Sequence, residues 1–194
     1  MGALTLVLGG QKAGKSRAAQ RLASKAAGPV RMITPAVGLD PELEERIARH
    51  REDRGADVHV DETFFVTEAL LREPSDTVIV DALDTWLLDR MQRVGLLEVG
   101  DAPTALGAEG RAGQDRVLAD VDALVDACIS RSGASILVAG TVGMGMHGPT
   151  TMARRYEDLH GLSTQRLGAS AERVLLVVAG RAIELRTLDD LIGN

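Results

Sequence analysis

The sequence predicts an α/β fold, with a mostly parallel β-sheet flanked by helices and an antiparallel edge at the C-terminus. Short apolar stretches of β-favouring residues alternate with helix-favouring stretches along almost the whole chain. This alternation is typical of parallel strands joined by right-handed crossovers. The last two strands, 173–179 and 182–186, are separated only by Gly180 and Arg181, so they are expected to pair as a hairpin. No repeat or composition break divides the 194 residues, and we expect one domain over residues 1–194.

The strands are predicted where β-favouring apolar residues run together between turn signals. Parallel strands that are covered on both faces by helices have this continuous rather than alternating pattern. The most apolar is Arg173–Ala179, and the run Thr77–Asp81 ends in a carboxylate. The predicted strands are 3–8, 30–34, 58–60, 77–81, 134–139, 173–179 and 182–186.

The helices are predicted where Ala, Leu, Arg and Glu dominate and where capping or breaking residues set the ends. Gly28-Pro29 ends the first helix, Asp40-Pro41 caps the second, and Pro74 follows the third. Residues 95–114 contain five glycines and Pro103, so we expect a long mobile loop there. The predicted helices are 16–27, 42–52, 66–72, 84–94, 115–130 and 150–168.

The composition limits the classes of protein and of partner. Hydrophobic residues make up 45% of the chain but aromatic residues only 2%, so the core is expected to consist of Leu, Val, Ala and Ile. The net charge of −6 argues against a nucleic-acid partner, whose binding surface is normally basic. Cys128 is the one cysteine; it cannot form an internal disulfide and is expected in the core. There is no charged-then-apolar leader and no run of 18 apolar residues, so we expect a cytoplasmic protein without a membrane span.

A glycine-rich segment after the first strand is the strongest motif in the chain. Gly9, four further residues and then Gly14-Lys15-Ser16 match the phosphate-binding pattern G-x-x-x-x-G-K-[ST]. In such a loop the backbone N–H groups surround phosphate oxygens, the lysine reaches the β- and γ-phosphates, and the hydroxyl ligates Mg²⁺. The predicted nucleotide-binding residues here are Gly9, Gly10, Gln11, Lys12, Ala13, Gly14, Lys15 and Ser16.

Two other segments are placed to complete such a site. Asp81 ends a predicted strand, as the Walker B carboxylate does, and is expected to bind Mg²⁺ together with Ser16. The glycine-rich segment 140–149 follows another strand, at the end of a doubly wound sheet where ligands bind. The histidines near these elements, His59, His147 and His160, are expected to be surface residues of a strand, a loop and a helix.

The predicted helix 42–52 has few apolar residues, chiefly Leu43 and Ile47, so little of it can be held in a core. His50 lies on it within a cluster of arginines. Two interpretations remain open from the residues alone: a solvated helix with ion pairs along it, or a charged face presented to a ligand. The arginines are Arg46, Arg49, Arg51 and Arg54.

Taken together, the motifs resemble those of the bifunctional adenosylcobinamide kinase / adenosylcobinamide-phosphate guanylyltransferase family of cobalamin biosynthesis. The likeness follows the family's order over nearly the whole chain. It rests on a G-G-x-x-x-G-K-S loop at Gly9–Ser16, an R-I-x-x-H-[RK]-x-x-R segment at Arg46–Arg54, a carboxylate strand ending at Asp81, a V-G-[ML]-G turn at Val142–Gly145, and an R-x-[FY]-x-D-x-x-G-x-x-x-Q helix at Arg154–Gln165.

The resemblance implies a RecA-like P-loop fold, a homotrimer and two reactions. A nucleoside triphosphate, GTP or ATP, phosphorylates the terminal hydroxyl of the corrinoid adenosylcobinamide. GMP then passes from GTP to an enzyme histidine and on to adenosylcobinamide phosphate. Carried onto this chain, the nucleophile is His50, Lys15 is the second catalytic residue, and Arg51 and Arg54 join the nucleotide-binding set. A neutral imidazole surrounded by guanidinium groups suits that role chemically.

The chain departs from the family pattern at several ligand-facing positions. An Asn-Glu pair after the late strand is replaced by Gly140 and Thr141; a Thr and an Asn after the carboxylate strand are replaced by Asp84 and Asp89. In the last long helix, Thr164 replaces an Asn and Glu157 an Arg. Two alternatives therefore stay open: a small-molecule P-loop kinase without a covalent intermediate, and a nucleotide-binding protein that has lost one or both activities.

Overall fold

A seven-stranded sheet forms the centre of the protein in a computed structural model that describes residues 2–26, 28–35, 59–97, 107–145 and 148–193. Its order is β3-β2-β4-β5-β1-β6-β7. All neighbouring pairs are parallel except β6 and β7, which form an antiparallel hairpin. The strands are β1 (Leu4–Gly9), β2 (Val30–Thr34), β3 (His59–Glu62), β4 (Thr77–Asp81), β5 (Ser135–Gly140), β6 (Arg173–Val178) and β7 (Arg181–Leu185).

Six helices are described, and the first five cover the two faces of the sheet. They are α1 (Lys15–Ala23), α2 (Val66–Arg72), α3 (Leu83–Arg93), α4 (Ala108–Ser130), α5 (Thr151–Ser170) and α6 (Leu188–Ile192). One apolar cluster joins the sheet to α2, α3, α4 and α5, and a smaller one joins it to α1. Since side chains alternate across a strand, Leu6 packs into the larger cluster and Val7 into the smaller one. The predicted α/β fold with an antiparallel C-terminal edge is confirmed.

The prediction for residues 95–114 was wrong in its second half. α4 begins at Ala108, seven residues before the predicted start. Gly110 and Gly113 favoured a loop because glycine disfavours helix interiors. However, Gly113 packs against Leu96, where a Cβ atom would lie 3.3 Å from that side chain. Close packing between chain segments thus overrides propensity here. Residues 98–106 of the same prediction lie outside the described residues.

Arg131 ties the end of α4 to the loop before β4. Its guanidinium donates hydrogen bonds to the carbonyl oxygens of Glu73 at 3.0 Å and Asp76 at 2.6 Å, and to the hydroxyl of Ser135 at 3.0 Å. Only 1% of the residue is exposed. Cys128, one turn earlier, is buried as predicted. None of the described helices is long and apolar enough to cross a bilayer.

Candidate active site

The phosphate-loop motif connects β1 to α1, at the carboxyl edge of the sheet. β1 ends at Gly9 and α1 begins at Lys15, with the loop curled between them. The Nζ of Lys15 donates a hydrogen bond of 3.0 Å to the carbonyl oxygen of Gly10, and the N–H of Ala13 bonds to the same oxygen at 3.2 Å. The lysine therefore folds back over the loop, and the positive end of the α1 dipole faces the same space.

Glycine is required at two positions of this loop for different reasons. Gly14 has a φ of +101°, a backbone conformation that side chains disfavour. A Cβ on Gly9 would lie 2.5 Å from the carbonyl oxygen of Val177 on β6, well inside contact distance. By contrast, no atom of the described residues would lie within 4 Å of a Cβ on Gly10. The sequence motif thus reflects both a turn and a close approach of two backbones.

Asp81 occupies the last position of β4, at the same edge of the sheet. It pairs in register with Val138 of β5, and β5 in turn places Gly140 opposite Gly9 at the start of the loop. One strand therefore separates the carboxylate from the phosphate loop. The hydroxyl of Ser16 and the carboxylate of Asp81 are hard oxygen groups, the type of group that could hold Mg²⁺ together with substrate phosphates and waters.

The best-connected carboxylate of this region, Asp84, was not among the site residues predicted from the sequence. Asp84 lies in the first turn of α3 and accepts hydrogen bonds from the backbone N–H of Gly140 at 2.9 Å and 3.0 Å, one to each oxygen. The Nε2 of His160 lies 2.8 Å from Asp84 Oδ1. Burial acts to raise the pKa of Asp84, but these hydrogen bonds and the charges of His160 and Lys15 prevail and lower it. Asp84 is therefore ionised at neutral pH.

His160 is buried, so the prediction that it lies on the helix surface was wrong. It is 3% exposed and faces the site from α5. Tyr156, one turn earlier, donates a hydrogen bond of 3.3 Å to the carbonyl oxygen of Asp84. Its ring centroid is 5.7 Å from that of His160. Burial, together with the Asp84 charge, raises the pKa of Tyr156, so this hydroxyl stays protonated.

The loop after β5 is held to the start of α5 by two side chains. Glu157 accepts a hydrogen bond of 2.9 Å from the N–H of Gly148, and Arg154 donates to the carbonyl oxygens of Gly148 and Pro149. Glu157 thereby takes part in a local contact at a position where the resemblance pattern has an arginine. His147 lies outside the described residues.

The structure places Gly9–Ser16 and Asp81 at one edge of the sheet. The predicted residues His50, Arg51 and Arg54, and the predicted helix 42–52, lie in the segment 36–58, outside the described residues. His59 lies at the start of β3 with its side chain 70% exposed, in agreement with its predicted surface position.

A comparison with known families decides what kind of phosphate-loop protein this is. The model of the cobinamide kinase / cobinamide phosphate guanyltransferase family matches residues 5–185. The chain belongs to this family. The family named from the sequence motifs is thereby confirmed, and it is a family of transferases.

Curated relatives agree with the family over almost their whole length. The bifunctional adenosylcobalamin biosynthesis protein CobP of Pseudomonas aeruginosa is 32% identical over 184 residues, which cover 93% of this chain and 96% of the relative. The bifunctional adenosylcobalamin biosynthesis protein CobU of Salmonella typhimurium is 28% identical, and the match covers 94% of this chain and 99% of the relative.

Among solved structures, an ATPase from the type III secretion system of pathogenic bacteria superimposes with a TM-score of 0.56. The superposition covers 99% of this chain and 61% of the ATPase, at 10% sequence identity. At that identity the likeness concerns the fold alone. It confirms the P-loop, RecA-like fold class expected for a member of the cobinamide kinase family.

Proposed function

We propose that this chain phosphorylates adenosylcobinamide and then transfers GMP from GTP to adenosylcobinamide phosphate, in cobalamin nucleotide-loop assembly. One observation carries the proposal: in a chain of the cobinamide kinase family, Lys15 folds over a phosphate loop flanked by Asp81 and Asp84. That edge of the sheet has the cation and the carboxylates that phosphoryl transfer needs.

The nucleotide is proposed to lie with its phosphates in the loop Gly9–Ser16, as GTP or ATP in the first reaction and as GTP in the second. Lys15 would bind the β- and γ-phosphates, and Ser16 and Asp81 would hold Mg²⁺. Bound there, the ion would neutralise charge on the transferred phosphoryl group. Arg51 and Arg54 are proposed to contact the nucleotide as well.

GMP transfer is proposed to pass through His50. The neutral imidazole attacks the α-phosphorus of GTP, a nitrogen–phosphorus bond forms, and pyrophosphate leaves. A phosphate oxygen of adenosylcobinamide phosphate then attacks that phosphorus, the nitrogen–phosphorus bond breaks, and adenosylcobinamide-GDP is released. A histidine is suited to both steps because it is a nucleophile near neutral pH and a good leaving group from phosphorus.

The test is to incubate the protein with GTP labelled at the α-phosphate and to measure acid-labile, base-stable label on the protein. We expect label on the wild type and none on His50→Ala. His59→Ala is the matched control, since His59 is an exposed histidine on β3, and it should label as the wild type does.

The same experiment separates the alternatives. Phosphorylation of adenosylcobinamide without any protein label would support a P-loop kinase that lacks the covalent step. Binding of GTP with neither reaction would support a nucleotide-binding protein that has lost turnover. Equal label on wild type and His50→Ala would contradict the assignment of the nucleophile.

The chain is proposed to form a single P-loop domain over residues 1–194 and to assemble as a homotrimer. It is proposed to act in the cytoplasm and to have no nucleic-acid partner. Support for the assembly comes from the C-terminal apolar face, a set of exposed apolar residues at the end of β6, on β7 and on α6. Such a face on an edge strand calls for a covering partner. It consists of Val178, Ile183, Leu185, Leu188, Leu191 and Ile192.

The assembly is tested by light scattering after size-exclusion chromatography. We expect the wild type at the mass of three chains and the double variant Ile183→Glu/Leu188→Glu at a lower mass. Leu71→Glu, which changes an exposed leucine on α2, is the control and should leave the mass unchanged. A wild-type protein at the mass of one chain would contradict the trimer.

A further inference from the structure

The carboxylate of Asp84 is fixed by hydrogen bonds and can still accept another one. Among the described residues, its Oδ1 accepts from the Gly140 N–H and from His160, whereas Oδ2 accepts only the second, 3.0 Å bond of the same N–H. An ionised carboxylate has about four acceptor positions on its two oxygens. With its side chain 28% exposed, Asp84 can accept a further hydrogen bond, at Oδ2, from a molecule entering the site.

The sheet register places this carboxylate next to the phosphate loop. Gly140, whose N–H binds Asp84, lies directly opposite Gly9 in the β1–β5 pair. Neighbouring strands are about 4.8 Å apart, so Asp84 is bonded to a residue that lies one strand away from the residue that opens the loop. Lys15 is close enough for its charge to contribute to the lowered pKa of Asp84.

We propose that Asp84 is a catalytic residue of the phosphorylation step, in which it accepts the proton of the attacking corrinoid hydroxyl. This inference rests on the proposed function and names the base for its first reaction. The hydroxyl oxygen forms a bond to the γ-phosphorus, and the bond to the β–γ bridging oxygen breaks. The electron pair leaves with the nucleoside diphosphate, and the proton passes to Oδ2 of Asp84 and then to solvent. Kinases commonly use an aspartate in this way.

Asp84 has this role in only one of the two reactions. Attack of a neutral imidazole on GTP involves no hydroxyl, and the acceptor of GMP is a phosphate that is already ionised. Neither step of GMP transfer therefore needs a base at Asp84. In one preparation of a variant, GMP transfer therefore serves as the internal control for phosphorylation.

His160 acts through Asp84 and is a positioning residue. Its Nε2 must carry a hydrogen to donate to the carboxylate, and burial in α5 fixes the ring. The bond holds Oδ1, which leaves Oδ2 as the oxygen turned to the incoming hydroxyl. Gly140 belongs to the same arrangement, since a Cβ at this position would lie 3.1 Å from Oδ1 and 3.3 Å from Oδ2.

The test measures both activities of Asp84→Asn, which keeps the shape and an acceptor oxygen but cannot take up the proton. We expect kcat for adenosylcobinamide phosphorylation to fall by about 10²- to 10⁴-fold, the range of general base catalysis. Nucleotide affinity, and GMP transfer to supplied adenosylcobinamide phosphate, should stay at the wild-type level. Asp126→Asn, a change of an exposed aspartate of α4, should keep both activities.

His160 is tested with a pair of variants. His160→Gln keeps an N–H at a similar reach and should phosphorylate within about 3-fold of the wild type. His160→Leu removes the donor and should lose roughly 10- to 100-fold in kcat with KM unchanged, as expected when a catalytic group is misplaced. Equal loss in the two variants, or a loss of GMP transfer as large as that of phosphorylation, would mean a structural role only.

Three outcomes overturn the role of Asp84. They are wild-type phosphorylation by Asp84→Asn, equal loss of both activities, and recovery of this variant at raised Mg²⁺, which would make Asp84 a metal ligand. Failure of the proposed function appears differently. If the wild type transfers neither phosphate nor GMP to the corrinoid, the proposed reactions are wrong, and Asp84 has no hydroxyl to serve.

Discussion

The backbone N–H of Gly180 donates a hydrogen bond of 2.9 Å to the carbonyl oxygen of Ala13, in the middle of the phosphate loop. The turn between β6 and β7 thus supports the loop from the side opposite α3. Gly180 has a φ of +73°, and its Cα would lie 3.4 Å from a Cβ on Gly14. The loop conformation therefore depends on contacts with the C-terminal hairpin as well as on its own glycines.

The close approach of Gly9 to β6 predicts a large difference between two neighbouring glycines. Gly9→Ala places a Cβ 2.5 Å from the carbonyl oxygen of Val177, whereas a Cβ in Gly10→Ala has no atom within 4 Å in the part of the chain that the structure describes. We expect Gly9→Ala to lose about 1–3 kcal/mol of stability, typical of overpacking, and Gly10→Ala to unfold near the wild-type temperature. Thermal unfolding without nucleotide measures both. Equal melting temperatures would contradict the packing of β1 against β6.

Lys15→Ala tests the phosphate loop. It removes the cation that the loop presents to the phosphates, so we expect turnover to fall by about 10²- to 10³-fold, the usual loss for one donor to a developing charge. Steady-state assays of corrinoid phosphorylation and of GMP transfer measure it. Lys25→Ala, an exposed lysine after the end of α1, is the control, and wild-type rates in Lys15→Ala would contradict the assignment.

Asp81→Ala tests the proposed Mg²⁺ ligand. We expect the Mg²⁺ concentration at half-maximal rate to rise by roughly 10-fold or more, since an ionised ligand is lost from a site with few protein oxygens. A titration of the rate against Mg²⁺ measures it. Asp126→Ala, which removes an exposed carboxylate of α4, should leave the titration unchanged. The same Mg²⁺ dependence in Asp81→Ala would remove Asp81 from the site.

Arg131 is expected to contribute strongly to stability despite its charge. Arg131→Leu would remove the hydrogen bonds to the part-buried carbonyl oxygens of Glu73 and Asp76 and to the buried hydroxyl of Ser135. We expect a loss of about 2–4 kcal/mol in the free energy of unfolding, from unsatisfied polar groups. Urea unfolding measures it, with Arg116→Leu on the exposed face of α4 as the control. A change below about 0.5 kcal/mol, typical of surface substitutions, would contradict the importance of these bonds.

Cys128 is expected to be unreactive in the folded protein. Burial raises the pKa of its thiol from 9.0 to about 11, although Ser135 and Arg131 oppose the shift. At pH 8 only about 0.1% of it is then thiolate, the reactive form. The pKa of Cys128 is higher in the folded state than in the unfolded state. Its contribution to the free energy of unfolding is therefore fully present below pH 9 and is lost as the pH rises toward 11.

A thiol reagent at pH 8 should therefore modify Cys128 slowly in the native state and rapidly in urea. Modification of the native protein at the rate of the unfolded chain would contradict the burial of this thiol. The effect of pH on stability can be measured separately, by comparing urea unfolding of the wild type and Cys128→Ala at pH 8 and above pH 9.

The sequence predicted the sheet well because most of its strands are apolar runs bounded by glycine or proline, and such runs can be recognised from neighbouring residues alone. It also placed Lys15, Ser16 and Asp81 at one edge, since a parallel topology brings carboxyl ends together. It could not predict the bond between Asp84 and His160, which are 76 positions apart. In the sequence Asp84 was only a departure from a pattern, and His160 looked like an ordinary residue of a polar helix face. Gly113 led to the wrong prediction of a loop because the sequence does not distinguish a glycine needed for close packing from a glycine needed for a turn.

The C-terminal hairpin of β6 and β7 contributes both to the phosphate loop and to the C-terminal apolar face. Its turn holds Ala13, and its outer strand carries part of the C-terminal apolar face. If subunits meet on that face, the same hairpin contacts both the neighbouring subunit and the phosphate loop, so subunit association and nucleotide binding are coupled. By thermodynamic reciprocity, whatever tightens the loop around a triphosphate would tighten the grip between subunits by the same factor, and dilution to single chains would weaken the affinity for nucleotide.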